Sequence, residues 1–161
     1  MAEYPEKLKE ILDDFEFITD RNERADYLIE LADRFDEAAK VPPEVAEQPY
    51  PEEHRVPACE SEAFVWSVEQ ENGTLKLYFD VLNPQGLSAK AMSVILDDAF
   101  SGQPDEVIRA VESDIVFKIF GNEISMGKGA GLMGIVSAVQ NEAKKHIRAD
   151  SNGAAANNEQ A

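Results

Sequence analysis

Five of the chain's eight prolines fall between Val41 and Pro57, at Pro42, Pro43, Pro49, Pro51 and Pro57. Proline lacks an amide donor and fixes its own φ, so neither a helix nor a central strand crosses such a segment. Glu44, Glu47, Glu52 and Glu53 favour its solvation. The stretch reads as a long extended connection, and such connections inside compact domains are usually functional or disordered. It divides the chain into a helical first part and a mixed second part, and it leads directly to Cys59, the sole cysteine.

Upstream, Leu8, Ile11, Leu12 and Phe15 recur at the three-and-four spacing of an amphipathic helix. Thr19-Asp20-Arg21-Asn22 interrupts that pattern and supplies a cap for a second helix over 22–38, with Tyr27, Leu28, Leu31 and Phe35 on one face. Two helices joined by so short a turn predict an antiparallel hairpin.

Downstream, residues 63–70 and 74–82 are rich in strand formers and flank Asn72-Gly73, a pair suited to a tight β-turn. Leu75, Leu77, Phe79 and Val81 alternate onto one face. A short third strand is signalled weakly near His54–Pro57. After the turn Asn83-Pro84-Gln85-Gly86, Ser88 is placed to cap a helix reaching Phe100, and Pro104 opens a short helix carrying Val107, Ile108 and Val111. The apolar run 115–120 suits a further short helix. Gly127-Lys128-Gly129-Ala130-Gly131 reads as a loop opening into a terminal helix over 131–148. The expected fold class is α+β, with a small antiparallel sheet of about three strands packed against the N-terminal hairpin and the C-terminal helices. One domain should occupy 1–148. Residues 149–161, mostly alanine, asparagine and other polar residues without an apolar face, should form a disordered tail.

The charge narrows the function classes. Fifteen basic against 32 acidic residues give a net −17, which repels phosphate backbones and anionic headgroups and argues against nucleic-acid or membrane partners. No apolar run reaches spanning length, and Met-Ala-Glu-Tyr-Pro-Glu lacks the features of a signal peptide. A lone cysteine agrees with a reducing compartment, so a soluble cytoplasmic protein is expected.

A residue type used once makes neither an internal disulfide nor a multi-thiolate metal site. Cys59 is then either a single reactive sulfur or a small packed side chain. Glu60 and Glu62 disfavour a thiolate there, and Lys128 is the cation able to offset them. The glycine loop lacks the phosphate-binding spacing and the hydroxyl residue after the lysine. His54 precedes Cys59 closely enough to approach it as a base, whereas His146 sits among Lys144, Lys145 and Arg148 near a helix C-terminus, a structural position.

The order of these features resembles the SufE family of sulfur acceptors over about residues 5–147. The family's centre, Gly-Cys-x-Ser-x-Val-Trp, is similar to Ala58-Cys59-Glu60-Ser61-Glu62-Ala63-Phe64, with Ala58 at the glycine. Its terminal Ser-x-x-Arg-x-x-Gly-Leu is similar to Ser125-Met126-Gly127-Lys128-Gly129-Ala130-Gly131-Leu132, with Lys128 at the arginine. The resemblance implies a helper of a cysteine desulfurase in iron–sulfur cluster assembly. Cys59 would carry a persulfide from a SufS-like desulfurase to a SufB-like scaffold, and Lys128 would stabilise the thiolate or steer the donor. Ala58, Glu60, Ser61, Gly127, Gly129 and Gly131 would form the docking surface. Pyridoxal phosphate belongs to the desulfurase, and this chain would need no cofactor. Two alternatives stay open: a non-catalytic module of the same fold that regulates a desulfurase or cluster enzyme, and a thiol enzyme, for which neither a histidine partner nor a resolving cysteine is evident.

Overall fold

The computed structural model describes residues 4–57, 59, 61–83 and 86–160, with side chains described as far as Ile147. Helices α1 (Glu6–Phe17), α2 (Arg21–Asp33) and α3 (Phe35–Ala38) precede the proline-rich segment. Strands β1 (Ala63–Glu69) and β2 (Leu75–Val81) follow it, then α4 (Leu87–Phe100), α5 (Asp105–Arg109), α6 (Ile115–Phe120) and α7 (Met126–Gln160). The class is α+β, as the sequence pattern predicts. Over 149–160, where a disordered tail is expected, the described backbone continues α7, and the side chains there lie outside the described residues.

α4 is the centre of the molecule. Ala91, Met92, Val94, Ile95, Leu96 and Phe100 are all buried, so this helix has no single apolar stripe but an apolar circumference. Both α1 and α2 pack on it, as do β2 and α7. The N-terminal pair is therefore held together chiefly through α4, helped by an edge-on contact of Phe15 and Tyr27 at 4.9 Å. The expected second helix breaks at Arg34, leaving α3 as one further turn. Asp20 caps α2 by accepting from the Asn22 amide at 3.4 Å.

Among the described residues the sheet has two strands, not about three. β1 and β2 pair antiparallel with Ala63 opposite Val81, Val65 opposite Phe79 and Ser67 opposite Leu77. The third-strand signal near His54–Pro57 resolves into a 3-10 turn, Glu52–His54, and a single bridge of Arg55 to Phe64. The physical reason lies at the outer edge of β1, where side chains do what a strand would do. His54 Nδ1 donates to the Val65 carbonyl at 2.9 Å, and the Ser67 amide donates to Glu142 Oε1 at 2.9 Å. The outer edge of β2 is closed by Ala39 and Val41, which exchange bonds with Phe79, and by Ser101 Oγ and Gln103.

Each face of the hairpin is covered. Val65, Leu75, Leu77, Phe79 and Val81 enter the main core, whereas Phe64 and Trp66 face the other way. Val41, Val45, Ala46 and Tyr50 of the proline-rich segment pack over that second face. The segment expected to be solvated is a lid on the sheet: its glutamates point out while its apolar residues point in.

Candidate functional site

Cys59 sits in a short excursion of chain between the proline-rich segment and β1. The neck is closed where the Val56 amide donates to the Ala63 carbonyl at 2.8 Å. On the β2 side, the Leu82 amide donates to the Glu62 carbonyl at 2.9 Å, and Asn83 Oδ1 accepts from the Glu62 amide at 2.6 Å. Asn83 also accepts, through its carbonyl, the amide of Gly86 at 3.1 Å, which turns the chain into α4. Gly86 rather than Ser88 is the residue that caps α4; Ser88 lies inside the first turn.

α7 begins five residues earlier than the sequence pattern predicts. Ser125 is the reason: its Oγ accepts from the Lys128 amide at 3.2 Å, and its carbonyl accepts from the Gly129 amide at 2.9 Å. The first bond satisfies a donor that a helix start otherwise leaves unmade, and the second is the helix's own first bond. The expected glycine loop is thus the first turn of a helix, and Gly127, Lys128 and Gly131 are fixed on it rather than held on a mobile strap.

One cavity of about 230 Å³ joins the pieces. Cys59 and Ser61 line it from the loop, Gly86 to Ala89 from the start of α4, and Gly127, Lys128, Gly131 and Leu132 from α7. Cys59 is half-buried and packs against the main core, while Lys128 is exposed. Two helix N-termini therefore open onto the same space as the thiol. The helix dipoles place partial positive charge at these ends, and Lys128 adds a full one. In a chain of net charge −17, Lys128 sets a cation on the cavity that Cys59 lines.

The structure thus brings together Cys59, Lys128, Ser61, Gly127 and Gly131 from the residues singled out in the sequence. Gly129 is not with them; it faces Ile124 and Phe117, and a methyl there would lie 3.3 Å from Ile124 Cδ1. Ala58 and Glu60 lie outside the described residues. His54 is not a base for Cys59: it stacks on Trp66 at 5.2 Å, binds the Val65 carbonyl, and lines a different cavity with Glu142 and Lys145. His146 is structural, its Nε2 lying 2.9 Å from Ser67 Oγ. Sequence reasoning missed Asn83 and Gly86 as site residues. Their turn was visible, but nothing in it says which loop it would hold.

The model of the SufE family, described as an Fe-S metabolism associated domain, matches residues 9–143. The chain belongs to the SufE family. An uncharacterized SufE-like protein of Rhizobium etli is 31% identical over 147 residues, covering 85% of this chain and 89% of that protein. The solution structure of a hypothetical protein from Thermus thermophilus superposes with a TM-score of 0.67 at 23% identity, covering 92% of this chain and 99% of that one. That likeness concerns the fold. Family membership ties this SufE protein to iron–sulfur metabolism, and among the described residues no helix is long and apolar enough to cross a membrane.

Proposed function

We propose that this SufE protein is a sulfur acceptor, taking persulfide sulfur from a SufS-like cysteine desulfurase onto Cys59 and passing it to a SufB-like scaffold. The observation that carries the reading is the shared cavity: the thiol, Lys128 and two helix N-termini meet in one place. The Cys59 thiolate attacks the outer sulfur of the donor's persulfide. The donor's S–S bond breaks, a persulfide forms on Cys59, and the donor cysteine leaves as thiolate. Charge and oxidation level balance, so the step needs no oxidant or cofactor. The reverse geometry serves delivery, with a scaffold thiolate attacking the outer sulfur held by Cys59. A chain with one cysteine suits this relay, because a second nearby thiol would attack the persulfide and release sulfide.

Intact-mass measurement after incubation with a cysteine desulfurase and L-cysteine tests the proposal. The wild-type chain should gain one sulfur atom, and Cys59→Ser should gain none. A wild-type chain that stays at its starting mass, while still stimulating the desulfurase, would replace sulfur transfer by the regulatory-module reading.

A further inference from the structure

The loop carrying Cys59 is bracketed by two close approaches, each made at a glycine. On its N-terminal side, Gly134 of α7 faces the chain just before the cysteine: a Cβ at 134 would lie 3.1 Å from the Pro57 carbonyl oxygen and 3.2 Å from Val56 Cγ1. Both distances are tighter than ordinary contacts of a Cβ, so a neighbour would have to give by a few tenths of an ångström. The helix backbone is the stiffer partner, so the loop would give way. On the C-terminal side, a Cβ at Gly86 would lie 2.5 Å from Val81 Cγ1 and 3.2 Å from Ser61 Oγ. Val81 is buried at the end of β2 and cannot swing out into solvent. The turn and Ser61 would have to move instead.

We propose that Gly86 and Gly134 are positioning residues for Cys59, setting the depth and direction at which its sulfur enters the cavity beside Lys128. The role rests on the sulfur-acceptor reading for its purpose, but the geometry stands apart from it. Gly134 holds the entry to the loop down on α7, and Gly86 holds its exit against the start of α4. Filling either place lifts one end of a segment whose neck is pinned by the Val56–Ala63 and Glu62–Asn83 hydrogen bonds. The displacement therefore falls on the residues between, and Cys59 is at their middle. Lifting the sulfur out of the cavity takes it away from Lys128 and both helix N-termini, which weakens the preference for its anionic form.

The test uses the full chain and three variants. Gly134→Ala and Gly86→Ala fill the two close approaches. Gly73→Ala is the control: it lies in the hairpin turn with φ of 80°, at the far end of the strands from Cys59, and meets nothing within 4 Å. That substitution strains the backbone and lowers Tm without touching the loop. Gly134→Ala has the opposite bias, since alanine favours a helix interior. The first readout is the rate of Cys59 alkylation by iodoacetamide as a function of pH. The two site variants should move the midpoint of that profile upward by about half a unit or more, with Gly73→Ala overlying wild type. The second readout is the initial rate of sulfur loading from a cysteine desulfurase, which should fall by about tenfold in the site variants, as misplaced reacting groups do. Alkylation profiles of Gly134→Ala and Gly86→Ala that superimpose on wild type would overturn the positioning role. A wild-type chain that is alkylated normally but never loaded would instead overturn the sulfur-acceptor reading, and the alkylation profiles would still decide the positioning role.

Discussion

Lys128 stands exposed at the mouth of the cavity that half-buries Cys59, so its side chain can meet either the thiolate or an incoming donor. The two roles separate by substitution. If its charge at the thiolate is what matters, Lys128→Ala should slow sulfur loading by about tenfold and raise the midpoint of the alkylation profile, while Lys128→Arg keeps both near wild type. A change in apparent KM for the desulfurase alone, with the alkylation profile unmoved, would assign the lysine to donor steering. Tyr50, packed on the second face of the sheet, carries a different test. Its hydroxyl donates to Asp80 at 2.6 Å, and burial, then that bond, then the Asp80 charge push its pKa from 10.0 to about 12. A tyrosine whose folded pKa is raised stabilises fully below the unfolded value and loses that contribution as pH climbs through the folded one. Urea midpoints should therefore fall between about pH 10 and pH 12, and less steeply in Tyr50→Phe. Tyr4 and Tyr27 are raised in the same direction, also chiefly by burial, so only the difference between wild type and variant isolates Tyr50.

At the scale of elements, the starts of α4 and α7 matter more than their lengths. Ser125→Ala removes the acceptor for the Lys128 amide and should cost about 1 kcal/mol by urea denaturation. It should also slow sulfur loading, because the first turn of α7 carries Gly127 and Lys128. Trp66→Ala tests the proline-rich lid: it empties the second face of the sheet, where Trp66 meets Tyr50 at 4.8 Å and His54 at 5.2 Å. A loss of about 3 kcal/mol or more is expected, with earlier protease cleavage in residues 41–54. These elements also mark what sequence can and cannot convey. The stripes of α1 and α2, the Asn72-Gly73 hairpin and the helix over 115–120 are local patterns, and each is present. The early start of α7 is hidden in the sequence because glycines read as loop, whereas a serine cap and close packing keep them helical. The third strand is over-signalled because edge closure by His54 and Glu142 is a long-range event; Glu142 lies 75 residues from Ser67. The placing of Cys59 and Lys128 on one cavity is equally non-local. No spacing rule reaches it, and only the resemblance of two separated motifs to one family points there.

At the scale of the whole molecule, net charge −17 acts on the fold and on docking with opposite signs. Several ion pairs join neighbours on one helix at the surface, such as Lys7–Glu10 and Lys9–Glu6, and such pairs contribute little. Like-charge repulsion over the acidic surface therefore exceeds what these pairs return, and screening should relieve it. Raising NaCl from about 10 mM to about 500 mM shortens the screening length from roughly 30 Å to a few ångströms, so Tm should rise by a few degrees. Association follows the other sign if the desulfurase presents a basic surface to this acidic chain: its on-rate should fall steeply over the same range, with the off-rate changing far less. Both are measurable on one preparation, Tm by scanning calorimetry and the rates by stopped flow with a fluorophore-labelled desulfurase. A Tm that falls with salt would mean that favourable ion pairs outweigh the repulsion. An on-rate indifferent to salt would mean that long-range charge does not govern the encounter.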